Sequence, residues 1–96
     1  MALASETASV TAADTWTDWI TPQPTTGYLN ISISGTFVAT VTLQRRFNED
    51  GTAHEVDTWT AVDQNNLQDY EHGVEYRIGV AAGDYTSGTV DLRLSQ

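Results

Sequence analysis

The feature that most constrains this chain is a strict alternation of apolar and polar residues near its C-terminal end. Within residues 73–96, two runs separated by a short polar loop have apolar side chains at every second position: Tyr76, Ile78 and Val80, then Val90, Leu92 and Leu94. A period of two places every second side chain on the same side of an extended strand. This stretch therefore predicts two β-strands that each bury one side.

We predict that these two strands pair as a hairpin with Asp84 at its tip. The register has four cross-strand pairs: Tyr76 with Leu92, Ile78 with Val90, Glu75 with Arg93 and Arg77 with Asp91. An exposed charge pair contributes only about 0.2–1 kcal/mol to stability. The charges are therefore expected to select the register, and the apolar side to supply the stability.

Residues 28–46 contain the two clearest strand patterns. Their apolar side chains stand at odd positions: Leu29, Ile31 and Ile33 in the first run, then Phe37, Ala39, Val41 and Leu43 in the second. A two-residue turn at Ser34 and Gly35 would place Phe37 and Ile33 on opposite sides of the sheet. We therefore expect a three-residue link through Thr36, or an arch that carries the chain into a second sheet.

Three other segments have weaker patterns. Residues 14–20 predict a strand in which Trp16 and Trp19 point to opposite sides, and prolines at 22 and 24 mark a following loop. Residues 54–61 predict a further strand, with a bulge needed to bury Trp59. Residues 62–73 are polar and predict a loop with room for one short strand.

The domain organisation follows from these segments. Residues 1–9, which include Leu3, are small or polar without a sustained period, and we predict a flexible N-terminal arm there. Residues 10–96 have no helical apolar stripe and contain six or seven short strand patterns, which are typical of a β-sandwich or a closed barrel. We predict a single all-β domain, a small antiparallel β-sandwich of about seven strands.

Composition excludes several classes of protein. The 96 residues include no cysteine, so a disulfide framework, a thiolate metal site and a cysteine nucleophile are all excluded. Four arginines, no lysine and 13 carboxylates give a net charge of −9, which disfavours binding to nucleic acid. We expect neither a secretory signal nor a membrane span, because no long apolar run is present.

The sequence contains no recognisable reactive motif. His54 and Glu55 begin a zinc-protease pattern but the second histidine is missing, and no phosphate-binding loop or nucleophile elbow is found. Carboxylate pairs such as Asp69 and Glu71 stand where solvated charge is expected. A calcium site at residues 48–51 remains an alternative to a plain turn, although the EF-hand spacing is not met. We expect a non-enzymatic protein without a cofactor.

The aromatic residues are the candidates for partner binding. Trp16, Trp19 and Trp59 are suited either to a core position or to an interface, because tryptophan combines a large apolar area with one hydrogen-bond donor. At least one of Trp16 and Trp19 is expected to be exposed or covered by a partner. Tyr85, beside Asp84, is either a loop anchor or a contact residue.

Two resemblances extend this interpretation. Residues 73–82, GVEYRIGVAA, resemble the strand of immunoglobulin-like and fibronectin type III sandwiches that carries a tyrosine corner, with Tyr76 as the corner tyrosine. That resemblance implies a Greek-key sandwich and no particular activity. The segments SGTFVATVTLQRRF and EYRIGVAAGDYTSGTVDLRLSQ are similar to a family of small virion proteins of tailed bacteriophages. This family usually has a tryptophan after the central turn, where the present chain has His54.

The second resemblance implies a function in the virion. The expected role is a capsid decoration, or cement, protein on the capsid exterior, which binds the assembled lattice of the major capsid protein and stabilises it. The arm with Leu3, the tryptophans and Tyr85 would supply contacts. A homotrimer around a local threefold axis, if it forms, would make weak individual contacts sufficient through multivalency. The alternative is a host-recognition or carbohydrate-binding module of a tail or fibre, with Trp19, Trp59 or Tyr85 stacking on sugars.

Overall fold

Eight β-strands form the regular structure of this computed structural model, which describes residues 5–22, 27–47 and 51–96. The strands are β1 (Ser5–Val10), β2 (Thr15–Trp16), β3 (Tyr28–Ala39), β4 (Val41–Phe47), β5 (His54–Trp59), β6 (Asp63–Gln68), β7 (Val74–Val80) and β8 (Tyr85–Ser95). The prediction of an all-β chain is confirmed. Among the described residues, the structure has no helix of the length and apolarity needed to cross a membrane.

The strands form two four-stranded antiparallel sheets. The first sheet has the order β1-β8-β3-β6 and the second the order β2-β7-β4-β5. The strands pair from the two ends of the chain towards its middle: β1 with β8, β2 with β7, β3 with β6 and β4 with β5. This is one long antiparallel ribbon rolled into two layers, the strand order of an eight-stranded jelly roll. The predicted β-sandwich is confirmed, and the closed barrel is not formed.

The strand order differs from that of an immunoglobulin-like domain. In such domains the last two strands are neighbours in one sheet. Here β7 lies in the second sheet between β2 and β4, and β8 lies in the first between β1 and β3. The resemblance around Tyr76 therefore correctly indicated a Greek-key sandwich, because a jelly roll contains two Greek keys, but the order of the strands is not that of an immunoglobulin-like domain.

The predicted C-terminal hairpin is wrong for the same reason. β7 and β8 belong to different sheets, and their apolar sides meet across the core instead of lying side by side. Glu75 pairs with Arg46 instead of Arg93, and Arg77 bonds to Gln44 instead of Asp91. Alternation specifies which side of a strand is buried, but it does not specify the strand that covers this side. The apolar side of β7 is buried equally well with β8 beside it in the same sheet or opposite it in the other sheet.

The predicted link at residues 34–36 is also wrong. β3 runs without interruption from Tyr28 to Ala39, and the chain arches into the second sheet at Thr40, whose amide donates to the carbonyl of Asp84 at 2.9 Å. The strand continues past Gly35 because this glycine has a φ of 100°, which other residues rarely adopt. Gly88 on the neighbouring strand has a φ of 91°. The expected arch therefore exists, but it lies at Thr40, after the end of β3, instead of at residues 34–36.

The prediction of a flexible arm at residues 1–9 is wrong for residues 5–9, which belong to the first sheet. All six residues of β1 pair with β8, from Ser5 opposite Ser95 to Val10 opposite Val90. Val10 is fully buried, and Ala8 packs against the core. Leu3 lies outside the described residues. The short strand for which residues 62–73 were predicted to have room is β6, which pairs with β3.

The core lies between the two sheets and is built from the alternating positions that the sequence indicated. Its main members come from four strands: Leu29, Ile31 and Ile33; Val41 and Leu43; Tyr76, Ile78 and Val80; and Val90, Leu92 and Leu94. Every one of these side chains is at most 3 % exposed. Burial of apolar surface is the main stabilising contribution to folding, so this layer holds the sheets together.

Tyr76 closes one end of the core with a polar contact. Its hydroxyl donates to Oδ2 of Asp69 at 2.5 Å, and Nη1 of Arg45 lies 3.6 Å from the same oxygen. The tyrosine thus ties β7 to the segment before it, as a tyrosine corner does, but through a carboxylate instead of a backbone group. Burial, followed by the hydrogen bond to Asp69, raises the pKa of Tyr76 to about 12.

The raised pKa predicts an alkaline loss of stability. Because the folded pKa exceeds the ordinary value of 10.0, the contribution of Tyr76 is complete below pH 10 and decreases as the pH rises towards about 12. In Tyr76→Phe this pH dependence should weaken, and at pH 7 the variant should be less stable by about 1–2 kcal/mol because the hydrogen bond is lost. Urea unfolding at pH 7 and across the alkaline range measures both effects. Tyr70→Phe, at an exposed tyrosine, is the matched control; equal alkaline slopes in wild type and Tyr76→Phe would contradict the prediction.

Candidate functional site

Trp16 and Trp19 lie on the same side of the second sheet, its outer face. β2 is regular for only two residues, and beyond Trp16 the chain leaves the strand before Ile20 bridges to Tyr76. Thr17 is buried at this break, and its Oγ1 accepts a hydrogen bond of 3.2 Å from the amide of Ile78. The prediction of opposite sides assumed a regular strand through residue 19, and the break brings both tryptophans to one side.

Gly79 makes the close approach of Trp16 possible. The two residues are register partners in the β2–β7 pair. A Cβ atom at position 79 would lie 2.7 Å from Cε3 of Trp16 and 2.3 Å from the carbonyl oxygen of Thr15. The indole therefore occupies space that any other residue at position 79 would fill.

Two arginines stack on these indole rings. The guanidinium carbon of Arg77 lies 4.3 Å from the ring centroid of Trp16 and 4.7 Å from that of Trp19. The guanidinium carbon of Arg46 lies 4.3 Å from the ring centroid of Trp19. These are cation–π distances. We call Trp16, Trp19, Arg46 and Arg77 together the tryptophan–arginine face.

Polar neighbours hold both guanidinium groups in place. Nε of Arg46 donates to Oε1 of Glu75 at 2.7 Å, and Nε of Arg77 donates to Oε1 of Gln44 at 2.9 Å. Burial lowers the pKa of Arg77, and the nearby Arg46 lowers it further, whereas Asp14 opposes the shift. Arginine stays protonated in proteins at any ordinary pH, so the face keeps its positive charge.

The tryptophan–arginine face has the chemistry of a recognition surface. Tryptophan and arginine are the residue types that most often dominate binding energy at protein interfaces. Both tryptophans are only partly buried in the isolated chain. The side chains of Arg46 and Glu75 are 21 % and 15 % exposed. A partner that covers this face would gain apolar area and would meet guanidinium groups that are already oriented.

The other predicted contact residues lie elsewhere. Trp59 is opposite Val41 in the β4–β5 pair and packs partly against the core, next to a bulge in β5 of the kind that the sequence predicted. Tyr85 also packs against the core, and its hydroxyl donates to the carbonyl of Gly88 at 2.7 Å. Of the four predicted contact residues within the described ranges, Trp16 and Trp19 lie together, and Trp59 and Tyr85 lie elsewhere.

No metal-binding cluster is seen in the part of the chain that the structure describes. No group of three or more histidine, aspartate or glutamate side chains there is placed to hold an ion. Residues 48–50 of the calcium alternative lie outside the described ranges. His54 is exposed, and its ring centroid lies 5.9 Å from that of Phe47.

The arginines of this face were not among the contact residues predicted from the sequence. Their positions alternate with buried residues, Arg46 with Leu43 and Val41 in β4 and Arg77 with Tyr76 and Ile78 in β7. This parity indicates that each arginine points outward. The two arginines are recognised as parts of one site only when β4 and β7 are known to be neighbours.

Comparison with known proteins adds no relative to this description. Neither a protein-family model, nor a curated protein, nor a solved structure matches the chain.

Proposed function

We propose that this chain is a non-enzymatic structural protein of a phage virion, a capsid decoration protein that docks on the assembled major capsid protein through its tryptophan–arginine face. The observation that carries the proposal is the stack of Trp16, Arg77, Trp19 and Arg46 on the outer face of the second sheet. The choice of a capsid as the partner rests on the resemblance of two segments to small phage virion proteins. These segments, residues 34–47 and 75–96, contain both arginines of the face.

The stacking favours a protein partner over a sugar at this face. Sugars bind tryptophan by lying flat on an open ring face, whereas guanidinium groups already lie over the rings of Trp16 and Trp19. A protein partner can use the same arrangement without displacing it, because its acidic side chains and carbonyl groups can bond to arginine nitrogens. The aromatic residues of the alternative sugar platform, Trp19, Trp59 and Tyr85, are not grouped on one surface.

The mechanism is a shift of the assembly equilibrium by binding. A protein that binds the assembled lattice, and not free subunits, stabilises the lattice by about 2.7 kcal/mol per site when its free concentration is 100 times its Kd. Symmetry-related sites repeat over the whole shell, so a modest contribution per site adds up to a large one per particle. Trimerisation around a local threefold axis would increase the occupancy further through multivalency.

The charge distribution agrees with docking by one face. The chain has a net charge of −9 and only four arginines, two of which lie in the tryptophan–arginine face. When this face is covered, the acidic remainder points to solvent. A high density of one charge on the exterior keeps particles dispersed.

Copy number tests the proposal most directly. We expect quantitative mass spectrometry of purified particles of the encoding phage to find one copy, or one third of a copy, per major capsid protein. A handful of copies per particle would place the protein at the tail or at a vertex, and its absence from particles would refute a virion role. Either result would overturn the decoration proposal.

Substitutions test the docking surface. In a co-sedimentation assay with particles that lack the protein, Trp19→Ala and Arg77→Gln are each expected to weaken binding by at least about 10-fold, as for central residues of an interface. Arg93→Gln is the matched control, because it removes the same charge from the outer face of the first sheet. Circular dichroism verifies that all variants are folded. Equal binding by Arg77→Gln and Arg93→Gln would show that docking uses another surface.

A further inference from the structure

The outer face of the first sheet contains a groove with a chemistry of its own. It is an open depression with a volume of about 500 Å³. Six outward side chains from three neighbouring strands line it: Asn30 and Ser32 from β3, Gln64 and Asn66 from β6, and Arg93 and Ser95 from β8. We call these six residues the polar groove.

The strand register arranges the groove in two rows. In one row Gln64, Ser32 and Arg93 lie side by side, and in the other Asn66, Asn30 and Ser95 do so. Neighbouring strands are about 4.8 Å apart, and successive outward residues on a strand are about 6.6 Å apart. Groups that donate and accept hydrogen bonds are therefore repeated at regular intervals across the three strands.

Much of this hydrogen-bonding capacity is unused within the described residues. Nε2 of Gln64 donates to Oγ of Ser32 at 2.9 Å, which orients one row. The side-chain amides of Asn30 and Asn66 have no hydrogen-bond partner among the residues that the structure describes. Each amide can both donate to and accept from a hydroxyl group, a common mode of sugar recognition.

The charge of the groove is unusual for this protein. No carboxylate lines it, although the chain has 13. Arg93 is exposed and forms no ion pair with any described residue. A free guanidinium beside neutral amides suits a ligand that has many hydroxyl groups and one carboxylate, since arginine can bind a carboxylate through two parallel hydrogen bonds.

An aromatic residue stands at one end of the groove. Tyr28 is the next outward residue of β3 beyond Asn30, and it lies opposite Gln68 on β6. Its side chain is 48 % exposed. In contrast to the tryptophans of the second sheet, no arginine is stacked on its ring among the described contacts. An open aromatic ring next to amide groups provides a surface on which a sugar ring can stack.

We propose that the polar groove binds an oligosaccharide that carries an acidic sugar, with Asn30, Asn66 and Gln64 bonding to hydroxyl groups, Arg93 to the carboxylate, and Tyr28 stacking on a terminal ring. The two outer faces of a sandwich point in opposite directions. A chain that docks through its tryptophan–arginine face would therefore present the polar groove outward, and the two sites can be occupied together. The groove does not depend on the docking proposal.

The test uses oligosaccharides of known composition and the full-length chain. A glycan array that contains uronic-acid oligomers and neutral oligomers of the same length identifies ligands, and isothermal titration calorimetry measures their affinity. We expect uronic-acid oligomers to bind more tightly than neutral ones. Arg93→Gln should remove that preference, and Asn30→Ala and Asn66→Ala should each weaken binding by about 5- to 10-fold, as the loss of one hydrogen bond predicts.

Matched controls keep this proposal separable from the docking proposal. Ser34→Ala changes an exposed residue on the same face of β3 outside the groove, and it should leave sugar binding unchanged. Asn66→Ala should leave co-sedimentation with particles unchanged, and Trp19→Ala should leave sugar binding unchanged. Failure to bind any array member at millimolar concentration would overturn the groove proposal, and so would full affinity in the double variant Asn30→Ala, Asn66→Ala.

Discussion

Replacement of Gly88 by alanine is expected to lower the free energy of unfolding by about 2–5 kcal/mol, the sum of backbone strain and steric overlap. Gly88 has a φ of 91°, a conformation that residues with a Cβ atom rarely adopt. A Cβ atom there would lie 2.1 Å from the carbonyl oxygen of Thr36 and 2.7 Å from Cα of Phe37. These are backbone atoms of the adjacent strand, so they can move only if the β3–β8 pair is distorted.

Gly83→Ala is the matched control for this experiment. Gly83 has a φ of 85°, close to that of Gly88, but a Cβ atom there would meet no other atom within 4 Å. Its substitution should therefore cost only the backbone strain, about 1 kcal/mol. Urea unfolding of both variants separates the two contributions. Equal losses at positions 83 and 88 would mean that the neighbouring strand relaxes freely around the added methyl group.

Deletion of residues 1–9 is expected to lower the free energy of unfolding by about 2–4 kcal/mol, given a net contribution of about 1 kcal/mol per backbone hydrogen bond. The deletion removes five of the six register pairs between β1 and β8. It also removes Ala8, which packs against the core. The free edge of β8 would then be open to pairing with another chain, so we also expect a tendency to aggregate.

A truncation that removes residues 1–4 is the matched control, because it leaves all six pairs of β1 in place. Thermal unfolding and size-exclusion chromatography compare the two proteins. If removal of residues 1–9 leaves the unfolding temperature unchanged, β1 does not contribute to stability as proposed. A loss of capsid binding in this truncation would not by itself identify an arm contact, because residues 5–9 are part of the sheet.

Particular residues show how far local patterns determine this fold. The odd positions from Leu29 to Leu43 are buried as their alternation predicted, apart from Gly35 and the half-buried Phe37. The break predicted near Gly35 does not exist, because β3 continues through this glycine at a positive φ. A turn and a strand that continues through a glycine have the same local sequence pattern. A glycine flanked by polar residues fits either role until its neighbouring strand is known.

The candidate site was predictable in part. The tryptophans were identified from their residue type, but the stack with Arg46 and Arg77 was not, because its members come from three segments that are distant in the chain. The polar groove was missed for a similar reason. Asn30, Gln64 and Arg93 resemble any solvated strand residues in the sequence, and only the β8-β3-β6 arrangement places them together.

The sequence by itself determined that this chain is all-β and which side of most strands faces the core, because both follow from the local period of apolar residues and from the absence of a helical stripe. Only the tertiary structure decided which strands are neighbours, and therefore that β7 and β8 face each other across the core and that Trp16, Trp19, Arg46 and Arg77 share a surface. The physical reason is that an apolar strand side is buried equally well by many partners. The choice among them depends on how all eight strands can cover one another at once.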